Sequence, residues 1–240
     1  MKDPGAELES MRNGSAGLGL IFRNIILGGQ DGIVNVLGIV LGVATATNST
    51  YMVLLAGLAA TFAESISMAA VAYTSTKAEI EHYESEVAKQ KREVDETPDK
   101  ARNDLRLIYR EKGLSGKLLE QVVSGISSNK KAWIDTMMRE ELRLRDPSQG
   151  MSAFWQGILV GFSAIVGSFI PILPFFFLPV ADSIIPSLAA SLAALFLVGA
   201  YKSRRTSGKW IFGGLELMVI GGAAALAGWL VGVFFQVPAA

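Results

Sequence analysis

Residues 22–73 read FRNIILGGQDGIVNVLGIVLGVATATNSTYMVLLAGLAATFAESISMAAVAY. Two apolar runs, roughly Phe22–Ala46 and Tyr51–Tyr73, are parted only by Thr47-Asn48-Ser49-Thr50. Each run is long enough for a helix to cross a bilayer, which takes about 20 residues. Both are too long for barrel strands, the other structure that satisfies its own backbone in lipid. A hairpin of two membrane helices is predicted. A cleavable leader is the competing reading of the first run, because Ala44-Thr45-Ala46 has the small residues of a cleavage site. The acid Asp31 inside the run argues against it.

Three more runs of this kind follow, Ala153–Pro171, Ala181–Tyr201 and Trp210–Phe235. The 240 residues are 50% hydrophobic, with a mean hydropathy of +0.38. Charge is concentrated between Lys77 and Asp146, which hold 15 of the 22 acids and 15 of the 22 bases. The expected fold is therefore all-α and integral to the membrane. Five transmembrane helices carry a helical cytoplasmic domain inserted between the second and third. The predicted boundaries are a disordered N-terminus at 1–18, transmembrane helices 1–2 at 19–75, the cytoplasmic domain at 76–150 and helices 3–5 at 151–240.

The inserted segment reads as helices. No Gly or Pro occurs from Leu58 to Thr97, so the second span should run on into it. Ile80, Tyr83, Val87 and Val94 fall at helical spacing on one face. Thr97-Pro98 opens a new helix, as an N-cap with Pro at the first helical position, and it should stop near Gly113. Two more are expected at about Gly116–Ile126 and Lys130–Arg145.

Composition excludes several functions. With no cysteine there are no disulfides or thiolate sites, and one histidine, His82, rules out a multi-histidine centre in a single chain. The net charge of zero gives no basic surface for nucleic acid. There is no GxxxxGK[ST] nucleotide loop and no Ser/His/Asp or Cys/His arrangement. The chain is not expected to be an enzyme or to hold a resident cofactor.

Lys and Arg set the orientation. Arg12, Arg23, the charged insert and the cluster Lys202, Arg204, Arg205 and Lys209 share one side; the connections Thr47–Thr50 and Pro171–Ser183 have neither residue. The N-terminus and the insert should be cytoplasmic, and the C-terminus on the far side.

Ionisable groups inside lipid are costly and point to function. Asp31, Glu64 and Glu216 qualify; Asp182, at the far end of the fourth span, should be wetted. Asp31 lies among Gly28, Gly29 and Gly32, with Asn35 one turn on. Glu64 and Met68 stack one turn apart, and carboxylate with thioether suits a borderline ion such as Fe²⁺. The bland alternative for Asp31 is a hydrogen bond that glues two helices. Glu216 sits in a glycine-rich span, with Gly213, Gly214, Gly221, Gly222, Gly228 and Gly232. It serves either a proton path or close helix packing, within or between subunits. In the insert, Glu79, Glu86 and Glu93 repeat every seven residues, with His82 and Gln90 on the same stripe. A solvated face is the plain reading of that stripe. Met137 and Met138 stand one turn before Glu141, and two exposed methionines there would be unusual for a face that only meets water.

Four stretches together resemble the vacuolar iron transporter family. They are Arg23-Asn24-Ile25-Ile26-Leu27-Gly28-Gly29-Gln30-Asp31-Gly32; Ala56-Gly57-Leu58 through Ser65-Ile66-Ser67-Met68 to Tyr73; Trp133-Ile134-Asp135-Thr136-Met137-Met138-Arg139-Glu140-Glu141-Leu142; and Ile170-Pro171-Ile172-Leu173-Pro174 with Leu178-Pro179. The resemblance implies a homodimer whose five-helix domains pass metal near the two-fold axis, driven by a proton gradient. It also implies a cytoplasmic domain that collects the metal. The family's ligand positions retained here are Asp31 and Met68 in the membrane, and Glu93, Met137, Met138 and Glu141 outside it. Plant members place a second-span carboxylate where this chain has Ala60, with Glu64 one turn on as a substitute. Two further expected glutamates are Gln90 and Ala101, and a third is the shorter Asp104.

The expected function is export of divalent metal, Fe²⁺ or Mn²⁺, from the cytoplasm in exchange for protons. Metal and protons would compete for Asp31 and Glu64, with Glu216 as a third proton-path candidate. The metal-collecting set would be Glu79, Glu86, Glu93, Asp104, Met137, Met138 and Glu141. So compact a chain fits a prokaryotic cell membrane better than a vacuolar one. Two rivals stand beside this. Glu79-Ile80-Glu81-His82 has the Glu-x-x-His spacing of di-iron proteins, which would make a membrane-anchored ferroxidase. A non-transporting scaffold would leave Asp31, Glu64 and Met68 without purpose.

Overall fold

In a computed structural model, the backbone of residues 4–206 and 208–236 is described, with side chains from Gly19 onward apart from Gln149 and Thr206. The expected disordered segment 1–18 lies outside the residues whose side chains are described. Eight α-helices follow in order: α1 (Pro4–Thr47), α2 (Thr50–Glu96), α3 (Pro98–Glu111), α4 (Gly116–Ser127), α5 (Lys130–Glu140), α6 (Ala153–Ile172), α7 (Val180–Thr206) and α8 (Trp210–Phe234). Short 3-10 turns lie at Pro147–Gln149 and Leu173–Phe176. No strand occurs among the described residues.

Among the described residues, five helical stretches are long and apolar enough to cross a membrane: Gly19–Thr47, Thr50–Glu96, Ala153–Phe176, Val180–Arg205 and Trp210–Phe234. The α1–α2 hairpin turns at Asn48, whose φ of +47° is left-handed, a conformation that Asn tolerates better than most residues. The Asn48 N–H donates to the Ala44 carbonyl, closing α1. The break between α6 and α7 comes where Pro171 and Pro174 end one helix. The Ser187 hydroxyl donates to the Pro171 carbonyl at 2.6 Å, satisfying a buried acceptor.

The chain divides into two compact units, residues 1–74 with 151–240 and residues 75–150. In the first, helices approach through small residues. A Cβ on Gly28 would stand 2.2 Å from the Val160 carbonyl oxygen, one on Gly32 2.3 Å from that of Ala164, and one on Gly167 2.1 Å from that of Gly29. Between lipid-exposed helices, packing of this kind replaces the hydrophobic drive. Gly228 and Gly232 meet α1 at Gly38 and Gly42 in the same way. The small-xxx-small pair of the fifth span therefore packs within the chain and is not available for contact between subunits. Val36, Val40, Val53, Ile172 and Phe175 fill the space between α1, α2 and the α6 turn.

The second unit has its own core of Val94, Ala101, Leu105, Leu119, Val123, Trp133 and Met137. A fully buried aliphatic side chain of this kind contributes about 1.5–3 kcal/mol. Arg106 grips Glu120 through two nitrogens, at 2.9 Å each, tying α3 to α4. Lys130 pairs with Asp95, and Lys112 with Glu140. Thr97 precedes Pro98 as predicted, but its hydroxyl turns back to the Glu93 carbonyl and caps nothing. The last helix ends at Glu140, short of the expected Arg145, and Arg143 is left-handed at φ +55°.

Candidate metal sites

α6 is the wedge that positions the membrane site. Its Val160, Ala164 and Gly167 receive α1 at Gly28, Gly32 and Gly29, while Gly157 and Gly161 receive α2 at the Ala69 and Ser65 carbonyls. A Cβ on Gly161 would stand 2.8 Å from the Ser65 oxygen. Seating both helices on α6 brings Asp31 of α1 toward Glu64 of α2. Asp31 and Asn35 both lie near enough to act on the Glu64 carboxyl. Met68 stands one turn along α2 from Glu64, and Asp31, Glu64 and Met68 are all half-buried while Asn35 is exposed. Ala60, one turn the other way, packs against the apolar cluster of α1, α2 and α6.

Two carboxylates held this close repel unless a proton or a cation lies between them. With an amide oxygen and a thioether beside them, they offer oxygen and sulfur donors that suit a divalent transition metal. Among the described residues no group of three or more Asp, Glu and His side chains is placed to hold an ion. Glu216 is exposed on α8.

In the second unit the heptad stripe divides. At 1.5 Å per residue, Glu86 and Glu79 lie about 10 and 21 Å along α2 from Glu93. Glu86 pairs with Lys89 at 2.5 Å, which holds its carboxyl below the ordinary range. Glu79 and His82 are exposed. Glu93 instead lies where its charge, like that of Asp104, is felt by the Glu141 carboxyl. Partial desolvation, then the charges of Asp104 and Glu93, raise the Glu141 carboxyl above the usual range, with Lys100 opposing them. Glu141 as a residue remains exposed at the end of α5, so the confinement is local to its carboxyl. The expectation of exposed methionines is corrected: Met137 and Met138 are both 0% exposed. Trp133 and Met137 share one face of α5 at i, i+4 spacing, and Met137 completes the core with Leu105 and Val123.

Three features escaped the sequence reading: the burial of Gln90, the ion pair of Lys100 and the pairing of Asn24 with Gln156. Gln90 is 5% exposed and its Oε1 has no hydrogen-bond partner, an acceptor costly to leave unpaired and one turn from Glu93. Lys100 donates to Glu93 at 2.5 Å. Asn24 and Gln156 form a buried hydrogen bond of 3.3 Å between α1 and α6. The signal for the last was present, two amides in apolar runs, but their pairing is a matter of packing.

These features define a multi-pass membrane protein with a partial acidic site between two spans. The VIT family model matches residues 22–233, and the chain belongs to that family. It is 32% identical over 210 residues to vacuolar iron transporter 2 of Oryza sativa subsp. japonica, covering 87% of this chain and 85% of that one. It is likewise 32% identical over 210 residues to vacuolar iron transporter 1 of Arabidopsis thaliana, at 87% and 84% coverage. The vacuolar iron transporter of Plasmodium berghei is 29% identical over 223 residues, at 89% and 82%. Family and relatives mark the chain as a transporter and not an enzyme.

Proposed function

We propose that this transporter exchanges cytoplasmic divalent metal, Fe²⁺ and also Mn²⁺, for protons from the far side. The observation that carries the reading is the approach of Glu64 to Asp31 between two membrane helices. A pair of carboxylates at that range takes up either protons or a cation, and loading one displaces the other. Exchange needs no nucleotide when both substrates use the same oxygens. The names of the relatives, vacuolar iron transporters, support iron as cargo.

The shell is completed by a second copy. Asn35 is exposed beside Asp31, and α2 also leaves Phe62 at 54% and Ile66 at 70% exposure. A two-fold axis there doubles Asp31, Glu64 and Met68. On this reading residues 76–150 are cytoplasmic, on the side of Arg204 and Arg205, and the C-terminus faces a cell exterior or an organelle lumen. Glu93, Asp104 and Glu141, with the Gln90 oxygen, receive metal there; Met137 and Met138 contribute if their packing opens. Glu79 and Glu86 extend the acidic approach. Glu216 is kept as a proton-path residue.

The test is metal uptake by proteoliposomes under an imposed proton gradient, with Fe²⁺, Mn²⁺ and Zn²⁺ compared. Uptake that follows the gradient and vanishes in Glu64→Ala is the expected result. Uptake independent of the gradient, or unchanged in both Glu64→Ala and Asp31→Ala, overturns the mechanism.

A further inference from the structure

The first unit has a second concave feature, remote from the carboxylates. α1, the end of α7 and the start of α8 enclose a cleft of ≈ 930 Å³. On α1 its wall is Phe22, Ile25 and Ile26. Asp31 is nine residues beyond Phe22, which at about 100° per residue is half a turn away. The cleft therefore opens on the opposite side of α1 from the metal site.

Its lining is apolar but for one end. Phe22 lies tilted against Tyr201 at 5.9 Å, and Phe196 meets Trp210 edge-on at 6.4 Å. Arg204 is the charged residue of the lining. No carboxylate pairs with it among the described residues. Arg205, next in sequence, lies over the Tyr201 ring at 5.6 Å. Phe22, Tyr201 and Trp210 are each more than 40% exposed, so the cleft opens outward. Aromatic side chains at this level mark the headgroup boundary.

We propose that the cleft is a binding site for one anionic phospholipid. An acyl chain lies between Phe22, Ile26 and Phe196, and the phosphate sits on Arg204. Charge selects the occupant: a guanidinium with no carboxylate partner among the described residues, on the wall of an apolar cleft, matches a lipid that carries a negative headgroup, as basic pockets between membrane helices do. A zwitterionic lipid offers the same chains without a net charge for Arg204. A second copy would have to place a carboxylate there.

The full chain is reconstituted in phosphatidylcholine vesicles doped with either dibrominated phosphatidylglycerol or dibrominated phosphatidylcholine. Bromine quenches nearby tryptophan, and the difference between the parent chain and Trp210→Phe isolates Trp210. Half-quenching of Trp210 is expected at about fivefold less phosphatidylglycerol than phosphatidylcholine, the preference that one cation near the surface confers. Arg204→Gln should bring the two lipids to parity, and Arg204→Lys should keep most of the preference. A melting temperature equal to the parent's shows that these variants are folded. Parity in the parent, or a preference untouched by Arg204→Gln, overturns the proposal. Because the chain has no cysteine, Leu197→Cys gives a clean second readout. Rapid disulfide cross-linking between copies, undiminished by added phosphatidylglycerol, would assign the cleft to a partner subunit and overturn the lipid site.

Discussion

Glu64 on α2 lies near enough to Asp31 and Asn35 on α1 for both side chains to act on its carboxyl. Neither helix places these residues by itself. Both are fixed by α6, whose Val160, Ala164 and Gly167 meet one helix and whose Gly157 and Gly161 meet the other.

On the proposed mechanism, removing either carboxylate takes away a ligand and, with it, the repulsion between the two. Asp31→Asn and Glu64→Gln should each lower gradient-driven metal flux by about 10–100-fold without lowering the melting temperature. Asn35→Ala removes a partner of Glu64 and should cost about tenfold. Proteoliposome flux and thermal unfolding in detergent, measured on the same preparations, check both halves. A stability loss that parallels the flux loss would mean that the pair is structural glue.

The helix crossings should tolerate no added carbon. Gly167→Ala would set a Cβ 2.1 Å from the Gly29 carbonyl oxygen, so α1 and α6 must part. The expected cost is about 1–3 kcal/mol, as for overpacking elsewhere. Flux should fall too, because moving α1 withdraws Asp31 from Glu64. Gly222→Ala is the control: nothing lies within 4 Å of its added Cβ, and both stability and flux should hold.

The extent of each span was legible because it depends on local properties. Pro171 and Pro174 end α6, Thr47–Thr50 carries the polar turn, and the long run without Gly or Pro became α2 from Thr50 to Glu96. Asp31, Asn35, Glu64 and Met68 were legible as polar or soft groups in apolar runs, and the spacing along each helix was enough to align them in pairs. What could not be read was contact between distant segments. Gly228 and Gly232 carry the same pattern whether their partner is another subunit or, as here, Gly38 and Gly42. Met137 and Met138 beside Glu141 look the same in sequence whether they face an ion or a core. The outcome depends on Leu105, Val123 and Trp133, which come from three different helices.

That core gives a further prediction. Leu105 is 0% exposed at the centre of the second unit. Leu105→Ala should destabilise it by about 2–5 kcal/mol. Loss of amide-exchange protection in α3, α4 and α5, with α8 unaffected, is the expected signature, since the two units have separate cores.

The charge cluster at Glu141 makes stability depend on pH. Its carboxyl is raised by partial desolvation and by the charges of Asp104 and Glu93. For an acid raised in the folded state, the stabilising contribution is present below the unfolded value and is lost as pH rises through the folded one. In metal-free protein, Glu141→Gln removes a carboxylate that is disfavoured when ionised. The substitution should therefore raise the melting temperature at pH 7 and leave it unchanged near pH 4. An equal effect at both values would mean that ionisation is not involved.

Lys100 is the cation already present in that cluster. Its ammonium is 2.5 Å from Glu93, and Glu93, Asp104 and Glu141 all hold it in its charged form. A divalent ion that uses Glu93 must displace this tethered ammonium. The pair is largely exposed, with 68% of the Lys100 side chain open to solvent, so its own contribution to stability is small. The cost appears instead as competition. Lys100→Met keeps the length and apolar stem of the side chain and removes the charge. Mn²⁺ should bind the metal-free full chain several-fold more tightly in this variant at low ionic strength, and the gain should shrink with added salt as screening weakens the native pair. Lys89→Met, which frees Glu86 about 10 Å away along the helix, should leave that affinity unchanged. If both substitutions raised it equally, the metal would be responding to net charge, and Glu93 would lose its place as a ligand.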